Sequence, residues 1–402
     1  MSAMDLVILA AGTLFYAVFS KRLNDGLVTL PMAFALFGFL VGADGFDLVA
    51  FDTGHGSIHL LAELTLALVL FSDAARLDVK ELLNGKILAL RMLLVGLPLA
   101  VLIGGVLALL LFPDAPPTAA FLLAAMLAPT DAALGQAVLT NKDVPLETRE
   151  VMTAESGLND GLALPAVVMF AILASASDGP GSSGPAMAQF AVMQIVLGPL
   201  SGIIVAYLGG HLIDWAVRSG TVAKALEGVA MLALALLAYA LAESIGGNGF
   251  LAAFSAGITL GCTVKHRCGA LIDFMEEEGQ ILTAFTFLLF GATLLPDGLA
   301  VMGWGTVLYA LASLFVVRVV AIMLSFMGSK VDYPGRLFMG WFGPRGLASI
   351  LFALMIFETY DVPFHAELQA CVMLTVAFSI VLHGLSATPL SRLYGRYMGG
   401  DC

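Results

Sequence analysis

From one end to the other this chain repeats apolar stretches of the length a bilayer demands, with little between them. A hydrocarbon layer about 30 Å thick needs roughly 20 apolar residues in a helix rising about 1.5 Å per residue. Stretches near that length are read at 4–20, 27–42, 58–74, 86–111, 118–140, 148–174 and 187–214, then at 223–243, 249–264, 274–295, 300–327, 336–357 and 367–390. That makes about thirteen crossings. Only 12% of residues are charged, about half the share usual in a soluble domain. An all-α polytopic membrane protein is therefore expected, with residues 1–402 forming a single transmembrane unit and no soluble domain.

The basic residues fix the expected orientation. Lys21, Arg22, Arg76, Lys80, Lys86, Arg91, Lys142, Arg149, Arg218, Lys224, Lys265, Arg267, Lys330, Arg336, Arg392 and Arg396 all fall on one side of the membrane under this reading. The loops opposite carry none. Cytoplasmic loops hold the excess of Lys and Arg, so the N-terminus is placed outside and the C-terminus in the cytoplasm of a cell (inner) membrane. The net charge of −12 comes from acidic loops and argues against a nucleic-acid partner. Cys262, Cys268, Cys371 and Cys402 show no metal-binding spacing, and no cofactor is expected.

Two stretches look broken. In the fifth, Pro129 of Ala-Pro-Thr-Asp removes a backbone donor and disfavours helix at Ala128. In the twelfth, Gly343, Pro344 and Gly346 interrupt the run at a comparable depth. Seven stretches apart, the two run in opposite directions. Interrupted spans in matching places of two inverted halves point to a transporter's binding site, since non-helical backbone survives at that depth only inside protein or beside water.

Within this frame lie the polar residues Glu63, Asp73, Thr130, Asp131, Glu155, Ser156, Asn159, Asp160, Arg318 and Arg345. An ionisable group at the centre of a span costs roughly 2.5–3.5 kcal/mol on insertion scales, so each calls for a use or a partner. On a helix, residues four apart share a face; Glu155 and Asn159 share one, and Ser156 and Asp160 the next. Asp160 lies about 18 Å into the sixth stretch at 1.5 Å per residue, level with the break at Asp131. A dehydrated monovalent cation needs oxygen ligands there. Asp160, Asp131, Ser156, Thr130 and carbonyls freed near Ala128 are expected to supply them, with Asp73 at the cytoplasmic entrance. Two such carboxylates cannot both stay charged cheaply without a cation, so cation and proton are expected to compete. Ser156 has a rival reading, back-bonding within its own helix. Glu155 and Arg318 sit at matching depth and are expected to pair, with Asn159 beside them. Arg345 is placed to compensate loose carbonyls and half-helix ends. Gly38/Gly42, Gly198/Gly202 and Gly257/Gly261 read as close helix packing. His211, His266 and His383 stand isolated and receive no role.

Four segments together resemble the first cation–proton antiporter family, which holds the prokaryotic NhaP-type exchangers and the animal Na⁺/H⁺ exchangers. They are Ala-Pro-Thr-Asp (128–131), Glu-Ser-Gly-Leu-Asn-Asp-Gly (155–161), Phe-Val-Val-Arg (315–318) and Gly-Pro-Arg-Gly (343–346). The resemblance implies inverted repeats with two crossed broken helices and a homodimer working by elevator-like movement. The implied core domain includes stretches three to six and ten to thirteen; the remainder forms the dimerisation domain. Asp160 matches the family's ion- or proton-binding aspartate and Asn159 the asparagine before it. Thr130 and Asp131 match the broken-helix contacts, Ser156 a ligand serine, and Glu155 and Arg318 a steadying ion pair. Asp73 falls where a glutamate is common, and Ala132 where proline is common. No long cytoplasmic tail follows, so tail-based regulation is not expected.

The function so implied is secondary-active exchange of Na⁺ (or Li⁺) for H⁺, with a role in pH homeostasis, K⁺/H⁺ exchange being the alternative. Asparagine before Asp160, where electrogenic relatives have a second aspartate, implies electroneutral stoichiometry. Two other classes compete. A cation channel would need a repeated filter motif, which is missing. An intramembrane aspartyl hydrolase would need Gly-x-Gly-Asp, which is also missing.

Overall fold

The computed structural model describes residues 3–24, 28–49, 55–76, 87–175, 184–223, 226–264 and 269–399. Lys80, Lys86, Lys224, Lys265, Arg267, Cys268, His266 and most of the Gly/Ser-rich linker 175–186 lie outside the described residues. Each stretch expected from the sequence coincides with helix. The helices are α1 (Ala3–Asn24), α2 (Leu30–Val41), α3 (His55–Ala75), α4 (Ile87–Leu111), α5 (Pro117–Met126), α6 (Ala132–Leu139) and α7 (Leu146–Ser175). They continue with α8 (Gly184–Arg218), α9 (Glu227–Ser244), α10 (Gly249–Val264), α11 (Gly269–Leu289, extended through Leu295–Ala300) and α12 (Trp304–Ser325). The chain closes with α13 (Tyr333–Trp341), α14 (Leu347–Thr359) and α15 (His365–Gly399). Among the described residues 8 helices are long and apolar enough to cross a membrane. Leu30–Val41, Pro117–Met126, Gly249–Thr263 and Leu347–Thr359 are shorter apolar helices, and two of the expected stretches are each divided into a pair of half-helices.

The inverted relation between the halves is carried by features seven stretches apart. The fifth stretch breaks between α5 and α6, and the twelfth between α13 and α14. The fourth and eleventh, α4 and α12, each contain a π turn, at Met92–Gly96 and Ser313–Val317. A π turn admits one extra residue and so rotates the remainder of the helix by about 100°. In α12 that rotation falls immediately before Arg318.

Glycine pairs obey the same relation. A Cβ on Gly38 or Gly42 of α2 would strike the backbone of α11 at Leu288 and Ala292; one on Gly257 or Gly261 of α10 would strike α3 at Phe71 and Ala75. Helices in lipid gain nothing from burying apolar surface against one another, so close backbone approach supplies the packing attraction. Gly198 and Gly202 bring α8 equally close to Asn248, just before α10, and to Ala252 within it.

Candidate functional site

The site is assembled where the two broken stretches cross, and a count of freed backbone groups explains most of it. Helix α5 stops at Met126 because Pro129 has no N–H to give Ala125 O and disfavours helix at Ala128. The chain stays non-helical up to Ala132, which leaves the carbonyls of Met126, Ala128, Pro129 and Thr130 without helical donors. Each finds a side chain. Ser349 Oγ donates to Met126 O (2.8 Å), and Arg345 Nη1 donates to both Ala128 O (2.8 Å) and Pro129 O (2.7 Å). Ser156 Oγ donates to Thr130 O (2.8 Å). The carbonyl at Ala128, expected to face a cation, faces the Arg345 guanidinium instead. A positive charge completely buried at 0% exposure takes the strongest acceptors within reach.

Asp131 joins the two breaks. Its Oδ1 caps α6 by accepting from Ala133 N (2.7 Å) and Leu134 N (3.3 Å), while its Oδ2 accepts from Leu347 N (2.6 Å) at the start of α14. Its own N–H donates to Pro344 O (2.8 Å). One carboxylate thus caps two half-helices from different halves of the chain, where negative charge is favoured at both N-termini. Gly346 is required by this contact, since a Cβ there would overlap the Asp131 carboxylate. Replacing Gly346 by alanine is expected to destabilise the protein by about 1–3 kcal/mol through overpacking; a lower thermal unfolding midpoint in detergent is the check. Gly343 has the same logic, its missing Cβ leaving room for the Arg318 guanidinium.

Helix α7 brings both of its polar faces to the crossing. Arg318 of α12 forks onto Glu155, Nη1 to Oε1 at 2.7 Å and Nη2 to Oε2 at 3.0 Å, with both residues 2% exposed. Asn159 Nδ2 donates to Glu155 Oε1 (3.2 Å) and to Thr130 Oγ1, and Thr130 Oγ1 donates to Glu155 Oε2 (3.2 Å). These bonds fix the Asn159 amide, because turning it over would set its oxygen against two acceptors. Ser156 does not back-bond within its helix. It reaches across to the break, and its hydroxyl lies 3.4 Å from Thr130 Oγ1.

What remains is unlike the rest. Asp160 Oδ1 and Asn159 Oδ1 are buried oxygens without a hydrogen-bond partner among the described residues. Both accept and neither donates, which is the character a cation or a protonated carboxyl suits. Asp73, Asp131, Glu155 and Arg345 all lie within electrostatic range of Asp160, Asp73 acting most strongly. The structure therefore groups nine of the ten polar residues singled out in the sequence: Asp160, Asp131, Thr130, Ser156 and Asp73 with Asn159, Glu155, Arg318 and Arg345. Glu63 stands apart, bonded to Tyr239 of α9.

Ser349, Ser379 and His383 also hold the crossing, and sequence reading passed over them. Ser379, His383 and Ser386 fall at i, i+4 and i+7 on α15. That is one polar stripe on an apolar helix, and it marks Ser379 and His383; Ser349, on α14, has no such signal.

Comparison with known proteins agrees with this architecture. Residues 7–393 match the family model described as sodium/hydrogen exchanger, transmembrane. The chain is 26% identical over 395 residues to the K(+)/H(+) antiporter NhaP2 of Shewanella oneidensis, covering 96% of this chain and 66% of that protein's length. It is 22% identical to the K(+)/H(+) antiporter NhaP of Alkalimonas amylolytica, covering 98% of this chain and 67% of that one. The fold is similar to that of the sodium proton antiporter MjNhaP1 from Methanocaldococcus jannaschii, with a TM-score of 0.76 at 20% identity and 96% of each chain covered. With the model matched across nearly all its residues, the chain belongs to the transmembrane sodium/hydrogen exchanger family.

Proposed function

We propose that this chain is a secondary-active antiporter that exchanges one monovalent alkali cation for one proton at Asp160. The observation that carries this reading is the buried Oδ1 of Asp160, without a hydrogen-bond partner among the described residues, beside two crossed broken helices. A charge count supports the stoichiometry. At the crossing two buried guanidiniums, Arg318 and Arg345, stand against the carboxylates of Glu155, Asp131 and Asp160. Arg318 pairs with Glu155, three backbone amides cap Asp131, and the set is one positive charge short. Asp160 is left to be neutralised by whatever enters, and one carboxylate takes either one H⁺ or one cation. Ser156 Oγ, its proton committed to Thr130 O, offers lone pairs as a second ligand, and Asn159 Oδ1 offers a third. Thr130 orients Glu155 and Asn159, and Asp73 draws cations towards the entrance. Asp131, its oxygens held by amides, contributes charge and the geometry of the crossing. This also weighs against an aspartyl hydrolase, which needs two carboxylates free to share a water.

Na⁺ (with Li⁺) is the first cation proposed. K⁺ is the second reading, favoured by the K(+)/H(+) names of both bacterial relatives. The cytoplasmic side is proposed as the one where Arg149 and Arg336 bind loop carbonyls at Val144 (3.1 Å) and Val331 (2.8 Å), beside the end of α15 at Tyr394. On this reading the N-terminus lies outside a cell (inner) membrane. A homodimer with elevator-like movement is proposed too. The core would include stretches three to six and ten to thirteen, with α3 and α11 bridging both groups through their glycine contacts to α10 and α2.

The test is proton movement in proteoliposomes carrying an internal pH dye, with Na⁺, Li⁺ and K⁺ added in turn. Each transported cation is expected to move protons at a rate indifferent to an imposed membrane potential, and to half-saturate at higher concentration as pH falls. A current accompanying exchange would refute the one-for-one stoichiometry. Single-channel openings would replace the antiporter with a pore.

A further inference from the structure

We infer that His383, acting with Ser379, is a positioning residue for the cation site, an assignment that rests on the reading of the crossing just given. The second break has its own freed groups. Trp341 ends α13, and the amides of Arg345 and Leu347 have no helical acceptor. Asp131 serves Leu347; helix α15 serves the others. Arg345 N–H donates to Ser379 Oγ (2.7 Å), Ser379 Oγ lies 3.1 Å from His383 Nδ1, and His383 Nε2 lies 2.9 Å from Trp341 O. Both ring nitrogens face a carbonyl, Nε2 that of Trp341 and Nδ1 that of Ser379 (3.1 Å), and a neutral imidazole donates to only one. With the proton on Nε2, at the shorter contact, Nδ1 is free to accept the Ser379 hydroxyl. One relay therefore ties the last residue of α13 to Arg345 inside the break.

The ring is held on every side. His383 is 2% exposed, its imidazole stacks on the Trp341 indole at 4.8 Å, and that indole donates to Ser386 Oγ (2.9 Å). The consequence reaches the site through Arg345. Its backbone is set by Ser379, while its Nη1 holds the Ala128 and Pro129 carbonyls of the other broken stretch. Loosening the Ser379–His383 link lets Arg345 shift, and with it the carbonyl arrangement one residue from Thr130. His383 touches neither ion nor proton. It sets how well the crossing is preorganised to receive them.

The experiment compares the full chain with H383L, S379A, H383N and D160N in proteoliposomes, reading half-saturating cation concentration and maximal rate separately. Losing one neutral hydrogen bond, about 0.5–1.5 kcal/mol, translates into a roughly two- to tenfold higher half-saturating concentration in H383L and S379A. Their maximal rates should stay within about twofold of wild type, since Asp160 is untouched. H383N supplies an oxygen acceptor near the place of Nδ1 and should recover much of the loss relative to H383L. Half-saturation unchanged in both H383L and S379A overturns the inference, as does a fall only in the amount of folded protein and the maximal rate. Should H383L not fold, S379A and H383N decide. Failure of the underlying reading looks different: D160N then exchanges like wild type, whatever the His383 variants do.

Discussion

Asp160→Asn is expected to lower cation-driven proton movement in proteoliposomes by on the order of 100-fold or more while leaving the folded protein intact. The asparagine has nearly the shape of the aspartate but no charge to meet a dehydrated cation and no carboxyl to carry a proton. Removing the counter-charge from a buried ion costs about 3–5 kcal/mol, and every 1.4 kcal/mol is a factor of ten in binding. Stability should hold, because Asp160 Oδ1 has no hydrogen-bond partner among the described residues to lose. Asp131→Asn offers the contrast. Its carboxylate accepts from Ala133, Leu134 and Leu347, and an amide nitrogen in place of either oxygen faces a backbone donor. The expected outcome is a loss of about 1–3 kcal/mol in stability, seen in the thermal midpoint, with transport reduced through the damaged crossing. Wild-type exchange in the Asp160 variant would remove the basis for the proposed mechanism.

Separating Glu155 from Arg318 is the second large effect. Either Glu155→Leu or Arg318→Met alone leaves a buried charge without its partner and is expected to cost about 3–5 kcal/mol. That is a large part of the marginal stability of a folded chain. The measurement is the yield of monodisperse protein and its unfolding midpoint in detergent. The double variant, apolar at both positions, should regain much of the stability, since apolar residues of similar volume often replace a buried pair at little loss. It should not regain transport. Glu155 also receives Thr130 and Asn159, so without it the Thr130–Asn159 side of the site loses its anchor. A double variant as unstable as the worse single one would show that the pair matters through something other than mutual neutralisation.

The same residues show how far sequence reading reached. Positions of helices were legible because apolar length is a one-dimensional property, and the breaks at Pro129 and Pro344 were legible because proline acts locally. The Glu155–Arg318 pair was within reach too, by counting residues inward from the same side of the membrane. That Arg345 would serve loose carbonyls was legible as well; which of the freed carbonyls it takes was not. Ala128 O was expected to meet a cation and meets Arg345, a residue 217 positions away. Only the crossing angle of two broken stretches decides which of the available donors arrives first. His383 shows the same limit, an isolated histidine in the sequence and a brace for the second break in three dimensions.

Sequence by itself determined that this chain lives in lipid, that it is helical with two interruptions, and which side chains are too costly to be there without a purpose. Those properties come from transfer free energy and backbone chemistry, which each residue carries wherever it is placed. Tertiary structure alone decided that Asp131 caps two half-helices while Asp160 keeps a free oxygen. The two aspartates are chemically identical, and the difference between them is which backbone amides the fold delivers to each.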